Sequence, residues 1–453
     1  MRAVWALLAA RPRLAVALAT CVAYLVGIFG PFQFDDYDVV VRYEPVHSLS
    51  GWWAAVGQGI RPLLKLSYAL NWVLGAGALG FHVFNVLVHV LNTELVMRLC
   101  TAAGDRRERW PFTPRGRAAF AAGLLFALHP IQTEAVTYVS GRSSSLMSTF
   151  ALLTLVFYAQ AVRGQRAWKW LGLAVLFFVC ALLTKEIAVT LPAGLLLWEL
   201  CFERRSWRGL ATRQALFAAL VLALLTAAIL RPSYYTLLYN ALGVRPLSSA
   251  LAHQIEGALY LLSRLVLVHR LSIDPGLGLL PPSPFVVSAG SAVLLVLLAV
   301  AWQQRRARPI VTFGVGWFFL HVFVPYLFVQ RQDVINERHV YLACFGIFAA
   351  LGALFIELSA RSPQRWQGIG VALAVFLLGA TLLRNLDYRS RLALWQSTAR
   401  VSPANPRAHN NLGVALELSG RLIEASDAYA RALALDPKYA MARSNLARVT
   451  AAH

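Results

Sequence analysis

The stretch QALFAALVLALLTAAIL, residues 214–230, runs for seventeen residues without a charge. Wound as a helix, such a run satisfies its own backbone hydrogen bonds and can cross a hydrocarbon core of roughly 30 Å. Residues 285–302 have the same character. A chain built from several such runs is dissolved mainly in lipid. Composition agrees: 14% of residues are charged, against about 25% in a soluble domain. The expected fold is all-α, a polytopic membrane helical bundle.

In a soluble chain the net charge of +21 would point to nucleic acid. Here the basic residues fall in short loops between apolar runs: Arg106, Arg107, Arg109, Arg115 and Arg117, then Arg163, Arg166 and Lys169. Two more groups follow, Arg204, Arg205, Arg208 and Arg213, then Arg305, Arg306 and Arg308. That pattern orients a membrane protein, with the arginine loops inside, and it leaves no nucleic-acid partner. About eleven spans follow, at 13–32, 82–100, 117–131, 144–162, 168–183, 187–202, 213–231, 286–303, 309–329, 339–358 and 366–384. Arg2, Arg11 and Arg13 hold the start of the first, uncleaved span inside, which puts the C-terminal tail outside. The five cysteines lie in or beside apolar runs and suggest neither a disulfide framework nor a metal site. Only four of the 42 basic residues are lysine. That points to a GC-rich bacterial genome, and so to a bacterial inner membrane.

Residues 252–271 carry Glu256, Arg264, His269 and Arg270 and read as an amphipathic or re-entrant helix on the outer face. The long outer loop 33–80 contains GWWAAV and RPLLKLSYALNWVLG, two short interfacial helices bearing Trp52, Trp53, Tyr68 and Trp72. Past Arg384 the pattern changes. His409, Leu412, Gly413, Leu416, Ala425, Tyr429, Ala432 and Pro437 keep the offsets of a tetratricopeptide repeat (TPR), with His in place of the usual Trp. The tail, 385–453, reads as a short α-solenoid with one full repeat, 406–439, between two half repeats.

The outer side holds an unexpected set of charges. FDDYD supplies Asp35, Asp36 and Asp38, followed by Arg61 and Lys65. LHPIQTEAVTYVSGR supplies His129, Glu134 and Arg142, and LLTKE supplies Lys185 and Glu186. VQRQDVINERHVYL supplies Arg331, Asp333, Glu337, Arg338 and His339. Cations here oppose the orientation rule, so they need either a partner or a purpose. Structural salt bridges would account for them singly. Together they describe a cavity in which guanidinium groups grip phosphate oxygens and a carboxylate takes a proton from a nucleophile. No GxSxG, HExxH or Walker loop is present. His82 and His89, on one helix face, read as packing residues.

FDDYD, RPL…FHVFNVLVHVLN, LHPIQTEAVTYVSGR, LLTKE and NERHVYL, in that order and followed by TPR signals, resemble the transmembrane-and-TPR (TMTC) O-mannosyltransferases and their bacterial relatives. The resemblance implies a GT-C fold for 1–384. It also implies inverting transfer of a sugar, mannose by preference, from a polyprenyl-phosphate carrier to a hydroxyl, as on protein Ser/Thr, at the outer face. By position in the family's acidic pair Asp35 inherits the role of base, with Asp36 in place of the usual Glu. Arg142, Lys185 and Arg338 would hold the donor phosphate, with Arg61, His129, Glu134, Glu186 and Glu337 in support. The lipid-linked donor is the only cofactor-like partner implied, and a divalent metal is allowed but not favoured. The tail would help to hold a protein or glycan acceptor. Rival readings are transfer to a lipid or glycan, a transporter or flippase for polyprenyl-linked sugar, and a scaffold whose repeat is the working part.

Overall fold

A computed structural model describes residues 11–103, 114–164, 166–203, 206–279, 281–328, 330 and 333–451. Arg2, Arg106, Arg107, Arg109, Arg204, Arg205 and Arg331 lie outside these residues. The described residues form helices and no strand.

In order the helices are α1 (Pro12–Tyr24), α2 (Leu49–Ala55), α3 (Pro62–Val73), α4 (Gly77–Ala102), α5 (Pro114–Leu128), α6 (Arg142–Arg163) and α7 (Ala167–Thr184). Next come α8 (Leu191–Phe202), α9 (Trp207–Ile229), α10 (Pro232–Gly243), α11 (Leu247–Arg264), α12 (Pro284–Gln304), α13 (Pro309–Val322), α14 (Tyr341–Ser359) and α15 (Pro363–Asp387). The tail adds α16 (Arg391–Val401), α17 (Pro406–Glu417), α18 (Leu422–Leu435) and α19 (Ala440–Ala451). Several of these, including α1, α3, α10, α12 and α15, carry proline in the first turn, where the missing N–H would have no partner anyway.

Each of the eleven expected spans has a helix, and among the described residues eight helical stretches are long and apolar enough to cross a membrane. The count is nine if the two pieces 116–128 and 130–136, bent by 53°, form one span. The chain is a multi-pass membrane protein. Two expected spans are shorter than drawn. α1 has 13 residues instead of reaching residue 32, because the chain turns at Gly27–Phe29 and then runs extended through Gly30. α8 has 12 residues because Lys185 is extended and a 3₁₀ stretch, Glu186–Thr190, precedes it. α11 is amphipathic and is not among the spans, in keeping with the expected surface or re-entrant helix. α10 had no counterpart in the sequence reading.

α6 and α14 are the most enclosed of the long helices, whereas α9 and α12 stand almost wholly exposed, on faces that would meet lipid. Glycine sets one contact that matters for the site. At Gly141 an added Cβ would land on the carbonyl oxygen of Glu134, so only glycine lets the 138–142 turn pack on that segment.

The tail follows the repeat geometry. Ser390 and Asn405 cap α16 and α17, and Gly413 lies against the Tyr429 ring with no room for a side chain. It is also docked. Arg407 pairs with Asp274 at 2.5 Å and Asp333 at 2.6 Å, and Asn405 donates to the Asp274 carbonyl at 3.1 Å. Asp333, one of the outer charges of the sequence, is a clamp for the tail.

Candidate active site

One cavity of about 350 Å³ opens at one end of the bundle, lined among others by Asp35, Asp38, Arg61, Lys65, Lys185 and Arg338. These six residues come from four segments spread over three hundred positions. The described residues of the arginine loops lie at the other end, where Arg163 donates to the Ala102 carbonyl and pairs with Glu203, and Arg308 pairs with Glu357. The alternation of spans therefore delivers the two charge sets to opposite ends.

Asp35 is held by its backbone. Its N–H donates to the Tyr138 hydroxyl at 2.9 Å, while its carboxylate makes no hydrogen bond or ion pair among the described residues and faces the cavity. The residue before it, Phe34, has φ +41°, and Arg61 across the cavity has φ +55°. These are the two positive-φ residues other than glycine among the described residues. Such backbone costs on the order of 1 kcal/mol or more and persists only where the surroundings over-determine it. Here both strained residues flank the same cavity.

Asp36 plays a different part. It is fully buried and accepts from the Gln33 N–H at 2.9 Å, the Ser140 N–H at 2.7 Å and the Ser140 hydroxyl at 2.5 Å. It ties the acidic loop to the 138–142 turn and does not line the cavity. Burial pushes its carboxyl up to about 7, against the three donors that lower it. A catalytic Asp36 is not what the geometry offers; its carboxylate positions Asp35.

The cations differ in how they are held. Arg61 forks onto Glu186 through Nε at 2.8 Å and through a second, shorter bond. Arg338 donates to Glu134 from its backbone N–H at 2.9 Å and from its guanidinium at 2.5 Å. Glu134 and Glu186 are thus clamps, and each leaves its arginine at the cavity wall. Lys185 is buried and donates to the Ser144 hydroxyl at 2.8 Å. Lys65 donates to the Tyr43 hydroxyl at 2.9 Å and lies 4.3 Å from that ring's centre. No carboxylate among the described residues pairs with it.

Besides Asp36, three more expected residues are not brought to the cavity. Arg142 is fully buried behind its wall, donating to Asn85 Oδ1 at 2.6 Å and to the carbonyls of Ser67 and Phe81 at 3.1 and 3.0 Å. It also lies 4.4 Å from the Phe84 ring centre. Each nitrogen donates, and four of its five N–H groups are taken by Asn85, Ser67 (twice) and Phe81. It thus pins α3, α4 and α6 together behind the wall and is not presented to a phosphate in the cavity. His129 caps the turn at 130–132 through Nδ1 and lies 3.0 Å from the Leu265 carbonyl through Nε2. Glu337 is buried and accepts from the Tyr260 hydroxyl at 2.9 Å and the Ser272 N–H at 2.7 Å. As read from the sequence, His82 and His89 pack: they meet the Gly30 carbonyl at 3.0 Å and the Tyr341 hydroxyl at 2.7 Å. Tyr43, Ser140 and Ser143 line the cavity and carried no signal in the sequence, because hydroxyl residues are ordinary at a membrane boundary.

Fold and site together define a multi-pass helical membrane protein with a charged cavity at one end and a TPR tail docked beside it. Its kinship is more particular. The tetratricopeptide repeat model matches residues 406–439. Protein O-mannosyl-transferase Tmtc3 of Drosophila melanogaster is 27% identical over 87% of this chain and 49% of its own length. Protein O-mannosyl-transferase TMTC4 of Mus musculus is 26% identical over 88% of this chain and 63% of its own. The chain spans between half and two thirds of these relatives, and the TMTC resemblance of its motifs is met in them. Among solved structures, ArnT from Cupriavidus metallidurans bound to undecaprenyl phosphate is similar, with TM-score 0.47 and 18% identity, over 99% of this chain and 77% of that one.

Proposed function

We propose that the chain is an inverting glycosyltransferase that moves a sugar, mannose by preference, from a polyprenyl-phosphate carrier to a hydroxyl acceptor such as a protein Ser or Thr. The observation that carries the reading is the composition of one cavity: Asp35, whose carboxylate makes no hydrogen bond or ion pair among the described residues, shares it with four cations, Arg61, Lys65, Lys185 and Arg338. The relatives named as O-mannosyl-transferases support it. Its volume lies within the roughly 300–1,000 Å³ of ordinary ligand pockets, enough for a sugar phosphate with the lipid trailing outward.

In the proposed reaction Asp35 takes the proton of the acceptor hydroxyl as that oxygen attacks the anomeric carbon. The bond from that carbon to the phosphate oxygen breaks, and the leaving polyprenyl phosphate is stabilised by Lys65, Lys185 and the clamped arginines. The arginines are already neutralised by Glu134 and Glu186, so the lysines carry the larger share of the phosphate charge. Lys65 and Lys185, standing beside the two clamped arginines at the cavity wall, favour an anion there over a divalent metal. The cavity and the tail would face the periplasm, with the arginine loops in the cytoplasm of a bacterial inner membrane.

The test is transfer from radiolabelled polyprenyl-phosphate mannose by purified protein in nanodiscs. Wild type should label a hydroxyl acceptor, and Asp35→Asn should fall by on the order of 10²-fold or more, the range for a general base. Full activity in Asp35→Asn would remove Asp35 as base. Translocation of the donor without transfer would make the protein a transporter.

A further inference from the structure

A second cleft, about 200 Å³, lies between the acidic loop and the tail, and Asp38 lines both it and the main cavity. Its floor is Phe34 and Tyr37 from the acidic loop. Its roof is Arg391 and Trp395 from α16 with Asn411 and Val414 from α17. We infer that this cleft is the acceptor subsite, and that it takes one or two residues of an extended polypeptide whose hydroxyl passes Asp38 to reach Asp35. This rests on the proposed transfer reaction.

Four observations support this. The first is continuity: the shared Asp38, exposed and paired with Arg42 at 3.0 Å, stands on the border of both spaces. The second is size. A volume below the roughly 300 Å³ floor of ordinary ligand pockets suits a strand of main chain better than a bulky glycan. The third is chemistry. The Asn411 carboxamide accepts from Asn410 at 3.3 Å, but its own Nδ2 finds no acceptor among the described residues. A peptide carbonyl is the acceptor an unpaired amide donor lacks. The Arg391 guanidinium lies 4.9 Å from the Tyr37 ring centre, fixed in place and cationic, so carbonyl-rich or acidic segments are favoured. The fourth is rigidity: Phe34 and Trp395 meet edge to face at 5.3 Å, so the cleft's two walls are one packed unit.

Neither Asn411 nor Val414 lines the main cavity, so changes there read the acceptor alone. The experiment measures transfer from polyprenyl-phosphate mannose to a library of synthetic Ser/Thr-containing peptides, with thermal midpoints of each variant in detergent. Val414→Trp fills the cleft and should raise the peptide KM tenfold or more, leaving donor KM and donor hydrolysis unchanged. Asn411→Ala removes only the amide and should raise the peptide KM about threefold with an unaltered midpoint, which covers the case of a misfolded Val414→Trp tail. Wild-type peptide KM in a folded Val414→Trp and in Asn411→Ala overturns the inference. Wild type that glycosylates a lipid or glycan but no peptide overturns it and leaves sugar transfer standing. Wild type that turns over no donor with any acceptor overturns both.

Discussion

The two ends of the bundle are built from the same residue types to opposite purpose. At the arginine-loop end Arg308 and Glu357 pair at 2.6 Å with 41% and 53% of their side chains exposed, and Arg13 meets Glu94 at 3.2 Å with 48% and 35% exposed. At the cavity end Arg338 and Glu134 pair with 11% and 0% exposed, and Arg61 and Glu186 with 15% and 17%. An exposed pair is worth little, about 0–1 kcal/mol. A buried one costs several kcal/mol of desolvation per ion before attraction returns it. Burial alone does not separate the ends, because Arg163 with Glu203 (16% and 7% exposed) and Arg213 with Glu199 (22% and 1%) are as enclosed at the arginine-loop end. What sets the cavity end apart is that its buried cations, Arg61, Lys185 and Arg338, line one shared space.

The largest effect expected is at Asp35, where Asn keeps shape and should cost on the order of 10² or more in transfer. Arg142 comes next and tests stability instead. Arg142→Ala leaves the buried Asn85 Oδ1 unpaired, at about 1–3 kcal/mol for a group that cannot rehydrate, and removes a second donor from the helical carbonyls of Ser67 and Phe81. Thermal unfolding in detergent should show a clear loss, and Arg142→Lys should not restore it, since an ammonium cannot reach all three. Donor affinity in the folded fraction should stay at wild type; a selective loss of donor binding would return Arg142 to the phosphate.

A smaller effect is expected from pH. The Asp36 carboxyl is raised by burial from 3.8 to about 7, so the folded state holds its proton more tightly than the unfolded chain does. That contribution is complete below about pH 4, falls as pH rises toward 7 and is flat above, with a slope of at most about 1.4 kcal/mol per pH unit. The midpoint of wild type relative to Asp36→Asn should therefore decline between pH 4 and 7. A difference that rises over that window would show Asp36 held ionised by its three donors. The smallest effect is at Arg308, where Ala should leave both the midpoint and transfer close to wild type. A loss comparable with that of Arg142→Ala would erase the contrast between the ends.

Much of this was legible beforehand, for a physical reason. Loop parity in a membrane bundle is fixed by counting apolar runs, so Asp35, Arg61, Lys185 and Arg338 could be sent to one end without knowing any contact. Which way a side chain points from that end was not legible. Arg142 begins a helix, and its spacing is equally good for a phosphate or for the carbonyls of Ser67 and Phe81 that take it. His129 and Glu337 fail the same way, since each found a backbone partner from a segment far off in sequence. α10 was missed because its tyrosines and central asparagine break an apolar run, although Tyr234 receives the Arg61 N–H at 3.0 Å. The repeat was read correctly because its signal is small residues at fixed offsets, and Gly413 against Tyr429 is that signal in space.

The meeting of Phe34 with Trp395 has a bearing on time. The acidic loop is made well before the ring that seats it. Until α16 has been made and has docked, Phe34 lacks the ring that packs on it, while Asp35 and Asp36 already have Tyr138 and Ser140 to hold them. The loop that carries the carboxylates is therefore finished in two stages, its hydrogen bonds from the bundle first and its aromatic packing from the tail last.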